Sequence, residues 1–362
     1  MSYITAIGTA NPGEGIPQSN IEDMMILAHG LTKKEVPRLR ALYRASGITK
    51  RYSVIRDFSL GKGSGLFLDN NMLEPLTGTG SRMKFYKLHA LPLSLEAINS
   101  CFESIDVYTE SITHLITVSC TGMYAPGLDI DLVNSIGLKS TVARSAINYM
   151  GCYAAFSALK IANAICQSDV QAKVLIVCVE LCSIHFQRCK TDENMLVNAL
   201  FGDGAAAVLV ENSPIGNTNL EILDSHCDIL TEGETEMAWI IDDHGFQMKL
   251  SSYVPELIKT GIGKLTEDLL KKLQLNLKDI NQFAIHPGGK KILEVIEQEL
   301  KLTKEDNKHA YKVLRNYGNM SSPTVLFVLR SMLSELKNDE KILGVAFGPG
   351  LTLESMLFGV KI

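Results

Sequence analysis

Four short runs in the chain are apolar at nearly every position and rich in β-branched residues: 115–120 (LITVSC), 173–180 (KVLIVCVE), 283–287 (FAIHP) and 342–348 (ILGVAFG). A strand with one wet face alternates, so unbroken runs of this length predict strands buried on both faces. Helical patterns lie between them. In the stretch that opens with 147–166 (INYMGCYAAFSALKIANAIC), the polar residues Ser157, Lys160, Asn163 and Gln167 recur every three or four positions. That leaves a narrow polar stripe and predicts a helix at the centre of the molecule. A second apolar helix is expected over 323–333 (PTVLFVLRSML).

The two halves echo each other. LITVSC is followed after about 32 residues by Cys152 and its apolar helix, and FAIHP at nearly the same spacing by Asn319 and the second helix. Phe-Gly-x-Gly then closes both halves, in 199–210 (ALFGDGAAAVLV) and 345–357 (VAFGPGLTLESML). This pattern predicts a duplicated α/β unit, 1–214 and 215–362, whose two copies bury both apolar helices between two sheets. Turn formers cluster at 211–218 (ENSPIGNT), where the halves join. The Gly-rich, aperiodic stretch 58–80 predicts a long surface excursion.

Composition narrows the function without naming it. With 362 residues, 46% of them hydrophobic, the chain can bury a large core. A formal net charge of −5 argues against nucleic acid as a partner, although it leaves room for a local basic patch facing the phosphates of a small molecule. Eight cysteines at irregular spacing, with no C-x-x-C pair, fit neither a disulfide framework nor a zinc site. No metal is expected, and one working thiol is. The first residues lack a basic region followed by an apolar one, and no apolar run approaches the ~20 residues of a membrane span, so a cytoplasmic location is expected.

Three residues carry candidate chemistry. Cys152 sits where a helix should begin, facing unpaired N–H groups and the positive end of the helix dipole, which favour thiolate. Taken alone it is as well explained as a small buried hydrophobe. His286 ends a central strand before Pro287-Gly288-Gly289, a usual place for a catalytic group in an α/β protein, although a hydrogen-bonded core histidine fits as well. Asn319 in YGNMSSP reads first as a cap for the following helix, with Ser321, Ser322 and Pro323. The duplication changes the balance by bringing all three to a common centre. A thiol nucleophile, an imidazole to activate it as an ion pair, and a neutral amide donor form a set suited to acyl transfer through a thioester.

At these residues the sequence resembles the chalcone synthase-like family of type III polyketide synthases, within the thiolase-fold condensing enzymes. AIGTANP, MYAPGLD, GCYAAFSAL, ALFGDGAAAVLV, HPGGKKIL, YGNMSSPTVLF and FGPGLTLE occur in the family's order over nearly the whole chain. The resemblance implies a thiolase-like duplicated αβαβα layered fold and a homodimer with a cis peptide before Pro126. It implies decarboxylative condensation of malonyl-CoA onto an acyl-CoA starter held on Cys152, with no cofactor beyond the coenzyme A thioesters. His286 and Asn319 then hold the thioester carbonyl and the enolate. Phe201 matches an aromatic gatekeeper, and Met248 stands where a second gatekeeper phenylalanine is usual.

Around the cavity the resemblance places Cys120, Thr121, Ala125, Cys182, His185 and Ser321. Thr121, Ala125 and Cys182 are similar to the set in bacterial members with an extra tunnel for long acyl chains, which implies medium- to long-chain starters and alkylpyrone or alkylresorcinol products. Short, aromatic or malonyl-only starters are the alternative, as is a ketoacyl synthase III-like enzyme that stops after one extension. For coenzyme A phosphates the expected cations are Arg38, Arg44 and Lys290. Of the family's basic positions near the first of these, two align with Ala41 and Ala45.

Overall fold

The computed structural model describes residues 1–55, 77–103, 105 and 107–362. Its strands, in chain order, are β1 (Tyr3–Ala10), β2 (Ile16–Pro17), β3 (Lys50–Arg51), β4 (His114–Ser119), β5 (Ala143–Asn148), β6 (Lys173–Leu181), β7 (Asp203–Glu211), β8 (Asn219–Ile229), β9 (Met237–Asp242), β10 (Gly245–Leu250), β11 (Gln282–Ile285), β12 (Lys341–Gly348) and β13 (Thr352–Lys361). The four apolar runs supply β4, β6, β11 and β12. Most of the excursion expected at 58–80 lies outside the described residues, and its last two residues open the helix Thr79–Phe102.

The duplication is visible in the pairing. In the first half the order β4-β6-β7-β1 runs parallel, antiparallel, antiparallel, and β11-β12-β13-β8 repeats it in the second. β5 extends the first half alone, and at the matching place in the second half the chain forms the helix Lys308–Tyr317. The halves do not form the two separate sheets expected from the repeat. β1 meets β8 through Tyr3↔Glu221 and Ile4↔Leu220, and this corner ladder joins nine strands into one sheet. The segment 212–218 forms the turns between β7 and β8.

The two Phe-Gly-x-Gly motifs are not equivalent. Phe347-Gly348 ends β12, and Gly348 pairs with Thr352 across a tight turn. Leu181, at the corresponding end of β6, pairs with Asp203, so an insertion of cap and helix stands between them and delivers Phe201.

The central helix begins later than its sequence pattern indicates, because Ala143–Asn148 belongs to β5 and a single 3₁₀ turn, Gly151–Tyr153, precedes the helix Ala154–Ser168. Two residues of its polar stripe are pinned: Lys160 Nζ lies 2.6 Å from the buried Glu354 of β13, and Asn163 accepts a hydrogen bond from Ser2, while Gln167 is exposed. Phe156 packs edge-on to Phe358, and from Thr324–Met332 only Arg330 and Ser331 escape burial. Both helices are thereby held against the sheet, and their N-terminal ends approach the same place. Among the described residues, no helix is long and apolar enough to cross a membrane.

Candidate active site

Gly151 answers for the residue before the thiol. Its φ is +77°, and a Cβ there would lie 2.4 Å from Pro349 Cδ, so only glycine lets this turn rest on the end of β12. Cys152 is thereby set at the mouth of the central helix, 5% exposed, with its Sγ 3.9 Å from Asn319 Oδ1. The Ser321 hydroxyl also reaches the thiol. Ser321 adopts a left-handed backbone (φ +57°), a conformation unusual for serine, and its Oγ lies 3.4 Å from Cys120 Sγ.

Asn319 is not a helix cap. It bridges in parallel to Phe201, ahead of a helix that begins at Thr324. Its N–H donates to Leu200 O and its carbonyl accepts from Gly202 N, both at 2.9 Å. The side-chain amide is oriented by two partners: Oδ1 accepts from Ser321 N (2.8 Å), and Nδ2 donates to Gly288 O (3.4 Å). One amide hydrogen is left for another acceptor. His286 follows β11 directly, and its N–H donates to Val345 of β12, the strand whose end carries the Cys152 turn. Its ring is fully buried, edge-on to Phe347, and among the described residues neither nitrogen has a hydrogen-bond partner.

Burial sets the resting charges. It pushes the Cys152 thiol up to about 12, against the opposing hydrogen bonds of Ser321 and Asn319, and pulls the His286 imidazole down to about 3. Desolvation thus opposes charge on both groups, and the thiolate–imidazolium pair expected from the sequence would form against that cost.

Glu180, the last charged position of a strand that otherwise reads apolar, is fully buried beside this centre. Its Oε2 accepts from Cys120 N (3.0 Å), Thr121 N (3.1 Å) and Thr121 Oγ1 (2.8 Å). Oε1 accepts from Ser322 Oγ (2.7 Å) and Cys120 Sγ (3.3 Å). Desolvation raises the carboxyl while these donors pull it back, and both burial and its charge hold the Cys120 and Cys182 thiols well above their ordinary value. Sequence reasoning passed over Glu180; a lone acid ending an apolar run was the available signal.

Phe201, Met248, Cys182 and His185 line one cleft, which continues to Met25 and Val197. Thr121 and Ala125 do not line it. Thr121 is fully buried, its hydroxyl donating to Glu180 and accepting from Leu181 N, and Ala125 lies exposed beside the cis Ala125–Pro126 bond. His185 closes one side: it stacks on Phe246 (4.3 Å between centroids), meets Trp239 edge-on, donates to Thr121 O and accepts from Phe246 N. Trp239 in turn donates to Cys120 O and sits opposite Met248 in the β9–β10 hairpin.

Burial lowers His185 to about 3. The unfolded chain takes up this proton below about pH 6.5 and the folded chain does not, so its contribution to stability is present above that pH and is lost as pH falls. His185→Gln is therefore expected to lose less Tm than the wild type between pH 7 and pH 5, measured by thermal melts; an unchanged slope would refute the assignment.

A bracket supports the gate. Arg51, 4% exposed, donates through Nη1 to Phe201 O and through Nε to Gln18 Oε1 (2.8 Å), and Gln18 Nε2 holds Ala199 O (2.9 Å). These bonds satisfy carbonyls left open where the helix Asp192–Leu200 ends. Gly318 (φ +70°) packs against the same Arg51 stem, tying the gate to the Asn319 segment.

A separate opening is lined by Ala45, Leu200, Leu250, Gly288, Gly289 and Lys290. Gly288 is the residue whose carbonyl holds Asn319, so this opening leads towards the catalytic candidates. Of the three expected cations it takes only Lys290. Arg38 is exposed and pairs with Asp192 at 2.5 Å, and Arg44 is exposed without lining the opening. Lys291, not foreseen, stands beside Lys290. Among the described residues, no group of His, Cys, Asp and Glu is arranged to hold a metal ion.

A buried thiol at a helix mouth, an unpartnered imidazole and an oriented amide on a duplicated α/β frame define an acyl-transferring enzyme. The chain belongs to the chalcone and stilbene synthases: the N-terminal domain of that family matches residues 1–214 and the C-terminal domain residues 221–360. It is similar to the alpha-pyrone synthesis polyketide synthase-like Pks18 of Mycobacterium tuberculosis, 29% identical over 370 aligned positions that cover 99% of this chain and 91% of that protein. The crystal structure of the C-terminal type III polyketide synthase domain of Steely1, a type I/III hybrid from Dictyostelium, superposes with a TM-score of 0.90 at 28% identity, covering 99% of both chains. PKS-I of the brown alga Ectocarpus siliculosus also gives 0.90, at 29% identity and 99% and 98% coverage. The protein is thus a polyketide synthase of the acyltransferase class with a thiolase-like fold.

Proposed function

We propose that the chain carries an acyl starter on Cys152 and extends it with malonyl-CoA, using apolar starters of medium to long chain to give alkylpyrones or alkylresorcinols. In the first step the Cys152 sulfur attacks the acyl-CoA carbonyl, the thiol proton passes to the leaving coenzyme A thiolate, and a thioester forms as another breaks. In the second, malonyl-CoA loses its carboxylate as carbon dioxide. The electron pair left behind forms an enolate whose oxygen is held by His286 and Asn319, and its carbon attacks the Cys152 thioester, releasing the sulfur. Coenzyme A thioesters suffice, with no further cofactor. The thioesters enter by the opening at Gly288 and Lys290. The similarity to an alpha-pyrone synthase supports the product class.

The observation that carries the starter assignment is the cleft running from Phe201 and Met248 past Cys182 to Val197 and Met25. Its walls suit an alkyl chain, and each buried CH₂ is worth roughly 0.8 kcal/mol, so selectivity should climb with chain length until the cleft is full. Across acetyl-, hexanoyl-, lauroyl- and palmitoyl-CoA, kcat/KM with malonyl-CoA is expected to peak beyond hexanoyl. Val197→Phe should cut the lauroyl value about tenfold, the equivalent of roughly two methylenes, while sparing acetyl. Products read by mass decide it: a wild-type preference for acetyl- or coumaroyl-CoA rejects the long-chain reading.

A further inference from the structure

A further, open depression lies on the outer face of the second half, lined by Thr49, Lys304, Lys308, Tyr311, Lys312 and Arg315. Lys308, Lys312 and Arg315 fall at i, i+4 and i+7 on the helix Lys308–Tyr317, so they project from one face, with Lys304 in the turn before it. Lys308 is shared by Glu305 and Glu335, at 3.2 and 2.9 Å. Among the described residues, no ion pair engages Lys304, Lys312 or Arg315, all of them exposed.

This face borders the opening to the active site. Ser46 lines that opening and Thr49 lines the basic cavity, and three residues of chain span at most ~10 Å. A Cβ on Gly47, between them, would lie 3.4 Å from the stem of Lys290. Thr49 is fixed to the basic helix through its N–H and hydroxyl, both bonded to Arg315 O at 2.8 Å.

We propose that this face docks an acidic acyl carrier protein, which feeds its acyl-phosphopantetheine arm into the opening at Lys290. The proposal rests on the reading that acyl thioesters enter there. Two observations favour a protein over the phosphates of coenzyme A. Lys290 and Lys291 already stand at the opening itself. The outer cations run about 10 Å along the helix from Lys308 to Arg315, with Lys304 beyond, and a stripe of that length matches the side of an acidic helix better than a compact phosphate cluster. On a chain of net charge −5, the exposed Lys304, Lys312 and Arg315, which no ion pair engages among the described residues, give an acidic partner a place and an orientation in which to land.

The test compares lauroyl groups on an acidic bacterial fatty-acid carrier protein and on coenzyme A, each with malonyl-CoA, for the wild type and the Lys312→Glu/Arg315→Glu double variant. The double variant is expected to lose about tenfold or more in kcat/KM with the carrier protein and to stay within about twofold with lauroyl-CoA; added salt should slow only the carrier-protein reaction. No turnover of the lauroyl carrier protein by the wild type overturns the proposal, as does an unchanged double variant. Equal losses on both donors also overturn it and assign the cations to coenzyme A; lauroyl-dephospho-CoA then tells whether the 3′-phosphate is what they hold. Failure of the wild type on lauroyl-CoA as well would instead strike the proposed function, so the two failures are distinct.

Discussion

Replacing Cys152 with alanine is expected to reduce polyketide formation to the detection limit, and in the native protein the starter acyl mass should appear on Cys152 alone. The selectivity has a physical basis: six of the eight cysteines are buried, and among those six Cys120 and Cys182 lie at the same centre as Cys152. Cys120 directs its S–H at Glu180 Oε1, so ionising it would set a thiolate against a carboxylate 3.3 Å away. Cys182 is raised by burial and by the same carboxylate. Cys152 also feels Glu180, but the hydrogen bonds that Ser321 and Asn319 offer it favour the anion, and it stands at the N-terminal end of the central helix. Intact mass after incubation with lauroyl-CoA, followed by peptide mapping, reads the acylated residue. Acyl groups on Cys120 or Cys182, or turnover surviving in Cys152→Ala, would remove Cys152 from the nucleophile's role.

What the sequence disclosed follows from how local each signal is. The strands β4, β6, β11 and β12 are buried on both faces, and burial writes itself into consecutive residues, so their positions were readable. The duplication was readable because two copies of one unit repeat the same pattern. The corner pairing of β1 with β8 was not, since it depends on where the two halves come to rest and leaves no period in either strand. The same limit governs the site. Cys152, His286 and Asn319 stand at element ends marked by glycine or proline, which can be found from sequence. Glu180 and Arg51 act through partners far along the chain, Cys120 at 60 residues from the first and Phe201 at 150 from the second, and a single polar residue in an apolar neighbourhood does not say which groups will surround it. Thr121 and Ala125, with Cys182, were expected to mark a tunnel because they resemble the set in bacterial members that have one, and because an alanine in place of a larger side chain opens space. Size states only what a residue leaves vacant: Thr121 is held by Glu180 and Leu181, and beside it the Tyr86 ring occupies the space where a Cβ on Gly122 would go. The cleft lies instead under Phe201, where the cap insertion, absent from the second half, has added walls.

Asn319→Asp is expected to be as inactive as Asn319→Ala, each losing on the order of 10²–10³ in malonyl-CoA decarboxylation, as removal of an oxyanion donor does. His286→Ala should fall in the same range. The aspartate variant separates two roles that alanine confounds. If Asn319 served only to fix Ser321 and the thiol, its Oδ1 would be the working atom, accepting from Ser321 N at 2.8 Å and facing Cys152 Sγ at 3.9 Å. Aspartate keeps that oxygen and would keep the activity. If the working atom is Nδ2, aspartate replaces a donor with an acceptor, sets it against the Gly288 carbonyl that Nδ2 now holds, and adds negative charge where the enolate must form. Decarboxylation, followed as carbon dioxide release without a starter, isolates this step from acylation of Cys152. Circular dichroism and the melting temperature of each variant confirm that the fold is retained. Undiminished decarboxylation in Asn319→Asp would return Asn319 to a structural role, and undiminished decarboxylation in His286→Ala would leave the enolate oxygen without the imidazole donor assigned to it.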